Sequence, residues 1–415
     1  MDAPLLASVA IDQAALPNAS WLRYLKASSV STVLLLLLVS GLNIAVDPFF
    51  VFTVPLIRGF NYYKPATQGR ETLAKSALLP LLQPRTVLIG TSKVQVGLDP
   101  DSPVWRDDDK PVFNAGLPGN TSSAMLAVLE EALATAPVRR VLVLLEPIDL
   151  MEPSPPLDST EPFHHTGRAR LRGLIDAILT RDALEASFRT LAGQWTDMPS
   201  GLRPNGQMYD GNFRGPTAVE GPGALFAQKM QQNAQRVAGM ARRLADRPDA
   251  EVVQLEAVRR IIYLCFEKNV TLDLAVAPVH ADMLRLVDLA GLWPRYIQMR
   301  EDLARMVEQT GGSRVRLWNF TGFDAYSSEP VPSLDHPASA PRWFWEPNHF
   351  RREYGELLLQ TIYRARDDVG TQLGASNLND LDEAQAKTMN KDRAEQPGEW
   401  VRAASALAAA RAQQH

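Results

Sequence analysis

The sequence predicts an α/β protein: a three-layer α/β/α sandwich around a five-stranded parallel sheet, preceded by one transmembrane helix. Three observations carry this. Five apolar runs rich in β-type residues recur at 86–90, 112–115, 141–145, 271–276 and 315–320. Between and beside them stand amphipathic stretches at 122–134, 169–192, 224–244, 252–268 and 295–309, the alternation that parallel strands joined by crossover helices produce. Ahead of both lies an uncharged run at 28–46, centred on Leu34-Leu35-Leu36-Leu37-Leu38.

That run is just long enough to cross a hydrocarbon core as a helix. Arg23 and Lys26 precede it and Asp47 follows. The bias of basic residues predicts residues 1–27 as a cytoplasmic tail, 28–46 as a signal anchor, and a main domain outside. In a bacterium this is a single-pass protein of the inner (cytoplasmic) membrane with a periplasmic body. A cleaved signal peptide is the alternative, although no small-x-small site follows directly. A buried core helix is another.

Residues 47–84 read as an aromatic, turn-rich connector with a helix at 71–82, and 85–366 as the α/β domain. The gap between the third and fourth strands exceeds one crossover, so an insertion or cap is expected at about 151–250. Its middle, from Asp197 through Gly223, is dense in Pro and Gly and predicts an irregular loop bordering a cleft. A last helix is expected over 349–366. Residues 367–415 read as a polar, partly disordered tail with a weak terminal helix.

Composition narrows the function. With 46% hydrophobic and 22% charged residues among 415, the chain can bury a sizeable core. The net charge of -4 offers no basic face for nucleic acid. The single cysteine, Cys265, stands on an apolar helix face with no activating neighbour and reads as core. His164-His165 lacks the spacing of a metal site, so neither metal nor cofactor is called for.

Chemistry points to the carboxyl ends of the strands, where loops leave for helices. Ser92 follows the first strand in Gly90-Thr91-Ser92, the second runs into Asn114-Ala115-Gly116-Leu117-Pro118-Gly119-Asn120-Thr121, and Glu346-Pro347-Asn348-His349 comes late. A serine hydroxyl becomes a nucleophile when an imidazole takes its proton and a carboxylate orients that imidazole. The glycine-bearing second loop offers backbone N–H groups for an oxyanion. Each residue has a plainer reading too. Ser92 and His349 fit helix caps, and Glu346 fits a first-turn carboxylate.

These three blocks resemble the SGNH (GDSL-like) hydrolases, whose fold is flavodoxin-like. The closer resemblance is to the membrane-anchored bacterial branch that includes alginate O-acetylation and D-alanyl-lipoteichoic acid accessory proteins. The resemblance covers roughly 47–366. It implies a serine esterase or O-acyltransferase acting on an envelope or exported carbohydrate, with Ser92 as nucleophile, His349 as base and Glu346 as its orienting acid. It also implies an oxyanion hole from the Ser92 N–H and Gly119, with Asn120 as a further donor. A catalytically silent domain that binds polysaccharide or a membrane acyltransferase partner is the alternative. That alternative is motivated by a departure: Ile148, in Leu145-Glu146-Pro147-Ile148-Asp149, aligns where the family has its oxyanion Asn. The second departure is Glu346 in place of Asp. His280, Asn319 and Asp149, each just past a strand, are candidates for substrate contact, and Glu146 and Asp149 for lining the cleft. Trp343-Phe344-Trp345 fits either a sugar platform or loop packing.

Overall fold

A computed structural model describes residues 19–152, 168–246, 253–310, 313–332 and 341–413. The His164-His165 pair and the tail up to residue 18 lie outside the described residues. In chain order the elements are α1 (Ala19–Val46), α2 (Glu71–Leu82), β1 (Thr86–Ile89), α3 (Ser92–Gly97), β2 (Val112–Asn114), α4 (Ser122–Thr135) and β3 (Arg140–Leu145). The insertion supplies α5 (Arg168–Leu179), α6 (Arg181–Ala192), α7 (Gly211–Glu220) and α8 (Pro222–Asp246). Then come α9 (Val253–Glu267), β4 (Thr271–Val276), α10 (Ala281–Leu289), α11 (Trp293–Gln309), β5 (Val315–Asn319), α12 (Arg352–Arg364), β6 (Thr371–Leu373), α13 (Leu378–Glu395) and α14 (Pro397–Ala412).

The five expected strands form in place, and they form the parallel part of a six-stranded sheet in the order β2-β1-β3-β4-β5-β6. The expectation of a purely parallel sheet of five is corrected by β6, which pairs antiparallel with β5 through Leu317 and Leu373. Three residues, two of them exposed, are too few to show a period in the sequence. The central strands are buried on both faces. Val87, Ile89, Val141, Val143, Leu272 and Leu274 join one apolar cluster, while Leu88, Leu142, Leu144 and Ala275 join the other. This alternation explains why the strands read as continuous apolar runs.

The order places β2 on one side of β1 and β3 on the other. A doubly wound sheet opens a crevice at such a reversal, outside the carboxyl ends of the two strands. The loops after β1 and β3 therefore face one another across it.

α1 is long and apolar enough to cross a membrane, and its side chains from Trp21 to Leu38 are exposed. It stops where Asp47 turns to φ 45° and its carboxylate accepts the N–H groups of Val51, Phe52 and Thr53. Lys64 Nζ donates to the last carbonyls, Val46 O and Asp47 O, at 2.7 Å each. Burial pushes the Lys64 ammonium down to about 8, with Asp47 opposing.

The insertion differs from expectation twice. The stretch 169–192 is two helices, because Thr180 caps α6 by accepting the Ala183 N–H at 3.1 Å. The Pro/Gly-rich middle also holds α7, despite Pro216 inside it. Thr217 Oγ1 donates to Phe213 O at 2.6 Å, and α7 packs on α8, contacts that local propensity does not register.

The tail, expected to be partly disordered with a weak terminal helix, folds as two helices, α13 and α14. Arg285 forms a bidentate pair with Asp392 at 2.9 and 2.7 Å and binds Asp282 at 2.6 Å. Trp400 donates to Asp392 at 2.9 Å. Arg285 and Asp392 stand 107 residues apart, beyond any local sequence window.

Candidate active site

The first loop is built to present one hydroxyl. β1 ends at Gly90, where a Cβ would lie 2.4 Å from Val94 Cγ2 and 2.9 Å from Leu144 O. The cap of α3 is Thr91, whose hydroxyl accepts the Lys93 N–H at 3.3 Å. Ser92 is thus the first helical residue rather than the cap, and its side chain is free for another partner. That partner is His349: Ser92 Oγ and His349 Nε2 are 2.7 Å apart.

The other ring nitrogen, Nδ1, is bonded to Glu346 Oε1, and Glu346 Oε2 accepts the Asn348 N–H at 3.0 Å. A carboxylate only accepts, so Nδ1 carries the proton and Nε2 is left as acceptor for the serine O–H. Glu346 is 1% exposed and His349 about 20%. Burial pushes the Glu346 carboxyl up, but His349, the Asn348 N–H and Lys93 outweigh it and hold the group below its ordinary value. The site therefore keeps an ionised acid behind a partly open imidazole, the arrangement that general-base activation of a hydroxyl needs.

Several anchors fix the late loop. Trp345 N–H donates to His349 O at 2.8 Å, and Arg351 N–H to Trp343 O at 2.7 Å. Glu329 accepts three successive N–H groups, from Arg342, Trp343 and Phe344, at 2.8, 3.0 and 2.7 Å. The His280 N–H holds Pro347 O at 3.0 Å.

Behind Ser92 sits a buried ion pair, Lys93 Nζ to Glu146 Oε2 at 2.6 Å. Thr91 Oγ1 donates to the other oxygen of Glu146 at 2.6 Å, and Lys93 reaches Pro278 O at 3.4 Å. The loops after β1, β3 and β4 are locked together by these contacts. Glu146 supports the Gly90-Thr91-Ser92 turn from behind, together with Lys93, to which no sequence pattern points.

The second loop packs directly on the first. A Cβ at Gly116 would lie 2.6 Å from Gln95 N and 2.8 Å from Thr91 O, so only glycine allows the approach. Asn114 Nδ2 donates to Val94 O and Leu98 O at 2.7 and 2.9 Å, closing the end of α3. From α2, the buried Lys75 Nζ donates to Gly116 O, and burial lowers that ammonium to about 7, with Glu71 opposing. Gly119 turns at φ 63° and is exposed, with its N–H outside the loop's own hydrogen bonds. The Ser92 N–H at the start of α3 is likewise outside them.

Asn120 is fully buried; its Nδ2 donates to Gly90 O at 3.3 Å, and its Oδ1 has no partner among the described residues. It ties the second loop to the Gly90-Thr91-Ser92 turn. Ile148, 4% exposed, belongs to the core and offers no donor.

The substrate-contact candidates fall elsewhere. His280, 1% exposed, caps α10 by accepting the Asp282 N–H on Nδ1 at 3.2 Å, while Nε2 donates to Glu329 O at 2.8 Å. Phe226 and Phe344 pack edge-on against its ring. Both nitrogens are used inside the protein, which leaves nothing for a substrate. Asn319, 4% exposed, donates to Thr321 O at 2.8 Å and finishes β5. Asp149 pairs with Arg236 of α8 and so fastens the insertion. All three follow a strand, yet His280 and Asn319 are buried and Asp149 is taken by Arg236, because place in the chain does not by itself free a side chain.

Phe213 of α7 is the residue that sequence reading missed, hidden in the stretch taken for loop. Its ring lies 5.1 Å from that of His349 and stacks on Trp345 at 5.5 Å. On Trp345 also sits the Arg351 guanidinium, 3.8 Å from the ring centre. Trp345 is thus held by packing, and Phe344 is fully buried. Beyond them opens a cavity of about 190 Å3 lined by Arg203, Arg214, Arg351 and Arg352 against Asp210 and Glu353. Burial, together with Arg214, holds Arg351 below the usual guanidinium range even though Glu353, Glu329 and Asp210 oppose it. A second cavity of about 320 Å3 reaches from Leu150 across α9 and α11, and neither cavity is lined by Ser92, His349 or Glu346 themselves.

No protein-family model, curated protein or solved structure matches the chain. The functional reading therefore stands on the site's own geometry. Among the described residues no group of three or more His, Cys, Asp or Glu side chains is placed to hold a metal ion.

Proposed function

We propose that this chain is an SGNH-like serine esterase or O-acyltransferase, anchored by α1, that acts on an ester of an envelope or exported carbohydrate through an acyl-Ser92 intermediate. The observation that carries the proposal is the continuous relay Ser92–His349–Glu346, with 2.7 Å between hydroxyl and imidazole.

In the proposed reaction the Ser92 proton passes to His349 Nε2 as Oγ bonds to the acyl carbon. The carbonyl oxygen becomes an oxyanion, for which the N–H groups of Ser92 and Gly119 are the donors. Collapse breaks the ester bond, and the departing alkoxide takes the proton from His349. A water or sugar hydroxyl then gives its proton to His349 as it attacks the acyl carbon; the acyl–Oγ bond breaks, and Ser92 Oγ takes that proton back from His349. Buried Glu346 stabilises the imidazolium in both halves. The arginine-lined cavity, which shares Trp345 with the packing around His349, supports an acceptor or substrate that carries negative charge away from the ester.

Turnover of an acetyl ester by the full-length protein in detergent tests the reading, with and without a carbohydrate acceptor. Loss of turnover in Ser92→Ala is expected, and equal rates in the two proteins would refute it. A second reading, a silent domain that binds polysaccharide or a membrane acyltransferase, is favoured by one observation, the buried Ile148 that provides no third donor. Full biological complementation by Ser92→Ala, with a membrane partner retained on purification, would favour it.

A further inference from the structure

The last turns of α1 are not free of the body. Side chains from Trp21 to Leu38 are exposed, but cover begins at Val39 and Asn43 is fully buried. Asn43 Nδ2 donates to Ile178 O of α5 at 2.8 Å, and its Oδ1 accepts from Ser187 Oγ of α6 at 2.7 Å. Both helices therefore grip α1 at the level of Asn43.

Helical rise fixes the depth of that level. From Lys26, the last cation before the apolar run, to Val46 is about 20 residues, or about 30 Å, the thickness of a hydrocarbon core. From Lys26 to Leu38 is only about 18 Å. If α1 spans, the bilayer needs the residues that α5 and α6 hold.

The exposed faces of the two helices suit that position. Leu179, next to Ile178, is 50% exposed, and Phe188, next to Ser187, is 57% exposed. Ile175 lies one turn before Leu179, and Trp195, 83% exposed, ends the short 3-10 turn that follows α6. Charged residues of both signs border this edge: Arg189 is exposed, Arg181 pairs with Glu185 at 2.8 Å, and Asp176 and Asp182 are exposed. An apolar stripe with a charged border suits a helix lying in a headgroup layer, with the apolar side chains supplying the attraction.

We propose that α5 and α6 form a lip embedded in the lipid headgroup layer of the leaflet nearest the α/β body, so that the body rests on the membrane that α1 enters. The proposal rests on α1 as a span and is independent of any catalytic role. It commits to lipid as the occupant because the face is continuous with the apolar surface of α1.

The test uses the full chain in vesicles of phosphatidylcholine and phosphatidylglycerol, with a fluorophore on one introduced cysteine: Leu36→Cys, Leu179→Cys, Phe188→Cys or Val219→Cys. All four positions are exposed, and the native Cys265 is fully buried, its thiol pushed up to about 12 by burial, and stays unlabelled. Quenchers carried on lipid chains are expected to remove most of the signal at 36, 179 and 188 and almost none at 219, on α7. An aqueous quencher is expected to show the reverse. Signal at 179 and 188 as open to water as at 219, with 36 in lipid, would overturn the lip while leaving the span intact. Signal at 36 open to water would overturn both.

Discussion

His349 and His280 stand at the same edge of the same sheet, each just before a helix, and in the sequence both look like site residues. The structure gives them opposite lives. His349 has one nitrogen on a buried carboxylate and the other on a serine hydroxyl, with part of its ring open. His280 has one nitrogen on a helix N–H and the other on a backbone carbonyl, and is sealed between two phenylalanines. Reactivity follows from what the nitrogens meet. His280 still serves the site indirectly, since its own N–H holds the Pro347 carbonyl between Glu346 and His349.

The strongest challenge to this contrast is a paired substitution. His349→Gln should lower ester turnover by about 10⁴-fold or more and leave stability nearly unchanged. His280→Gln should do the reverse, changing kcat/KM less than about threefold while lowering unfolding free energy by about 2 kcal/mol. Chemical denaturation and steady-state kinetics on the same preparations read both, and a large kinetic loss in His280→Gln would place that ring in the reaction.

Next in size is Glu346→Gln. The amide can present a donor where the carboxylate only accepts, so it favours the wrong tautomer of His349, and turnover should fall about 10³- to 10⁴-fold. Combined with Ser92→Ala the loss should not multiply, since the residues act as one unit.

Ile148→Asn is smaller and sharper. Position 148 packs into the core, so an amide there should cost about 2–3 kcal/mol and add nothing to turnover. A rise of about 10²-fold would mean that this position faces the reacting carbonyl after all.

The smallest effect is a pH slope. Burial, with Arg285 and Arg402, pushes the His280 ring below the ordinary 6.5, against Asp282 and the Glu329 carbonyl. Below pH 6.5 the unfolded chain takes up a proton that the folded ring resists. Its contribution to stability is therefore complete above pH 6.5 and declines as pH falls beneath it. Thermal unfolding of His280→Gln between pH 5 and 7 should be flatter than that of the parent.

Much of this was legible in the sequence, for identifiable reasons. The five parallel strands are buried on both faces and so read as unbroken apolar runs. Ser92, Gly119, Glu346 and His349 were legible because each follows a strand or precedes a helix and carries chemistry suited to its neighbours. Two kinds of information were hidden. β6, α7 and the first tail helix, α13, depend on partners far away in the chain, such as Arg285 for Asp392. Phe213 and Lys93 depend on packing between loops, which no local pattern encodes. His280 and Asn319 failed for the converse reason: their positions pointed to the cleft, and their hydrogen bonds turned them inward.

The central claim, that His349 and Glu346 make Ser92 a nucleophile, is tested most directly by labelling the full-length protein with a fluorophosphonate and mapping the adduct. A single adduct on the Ser92 hydroxyl is predicted, absent in Ser92→Ala and greatly slowed in His349→Gln. Equal labelling of the parent and Ser92→Ala, or no adduct on the parent, would contradict it.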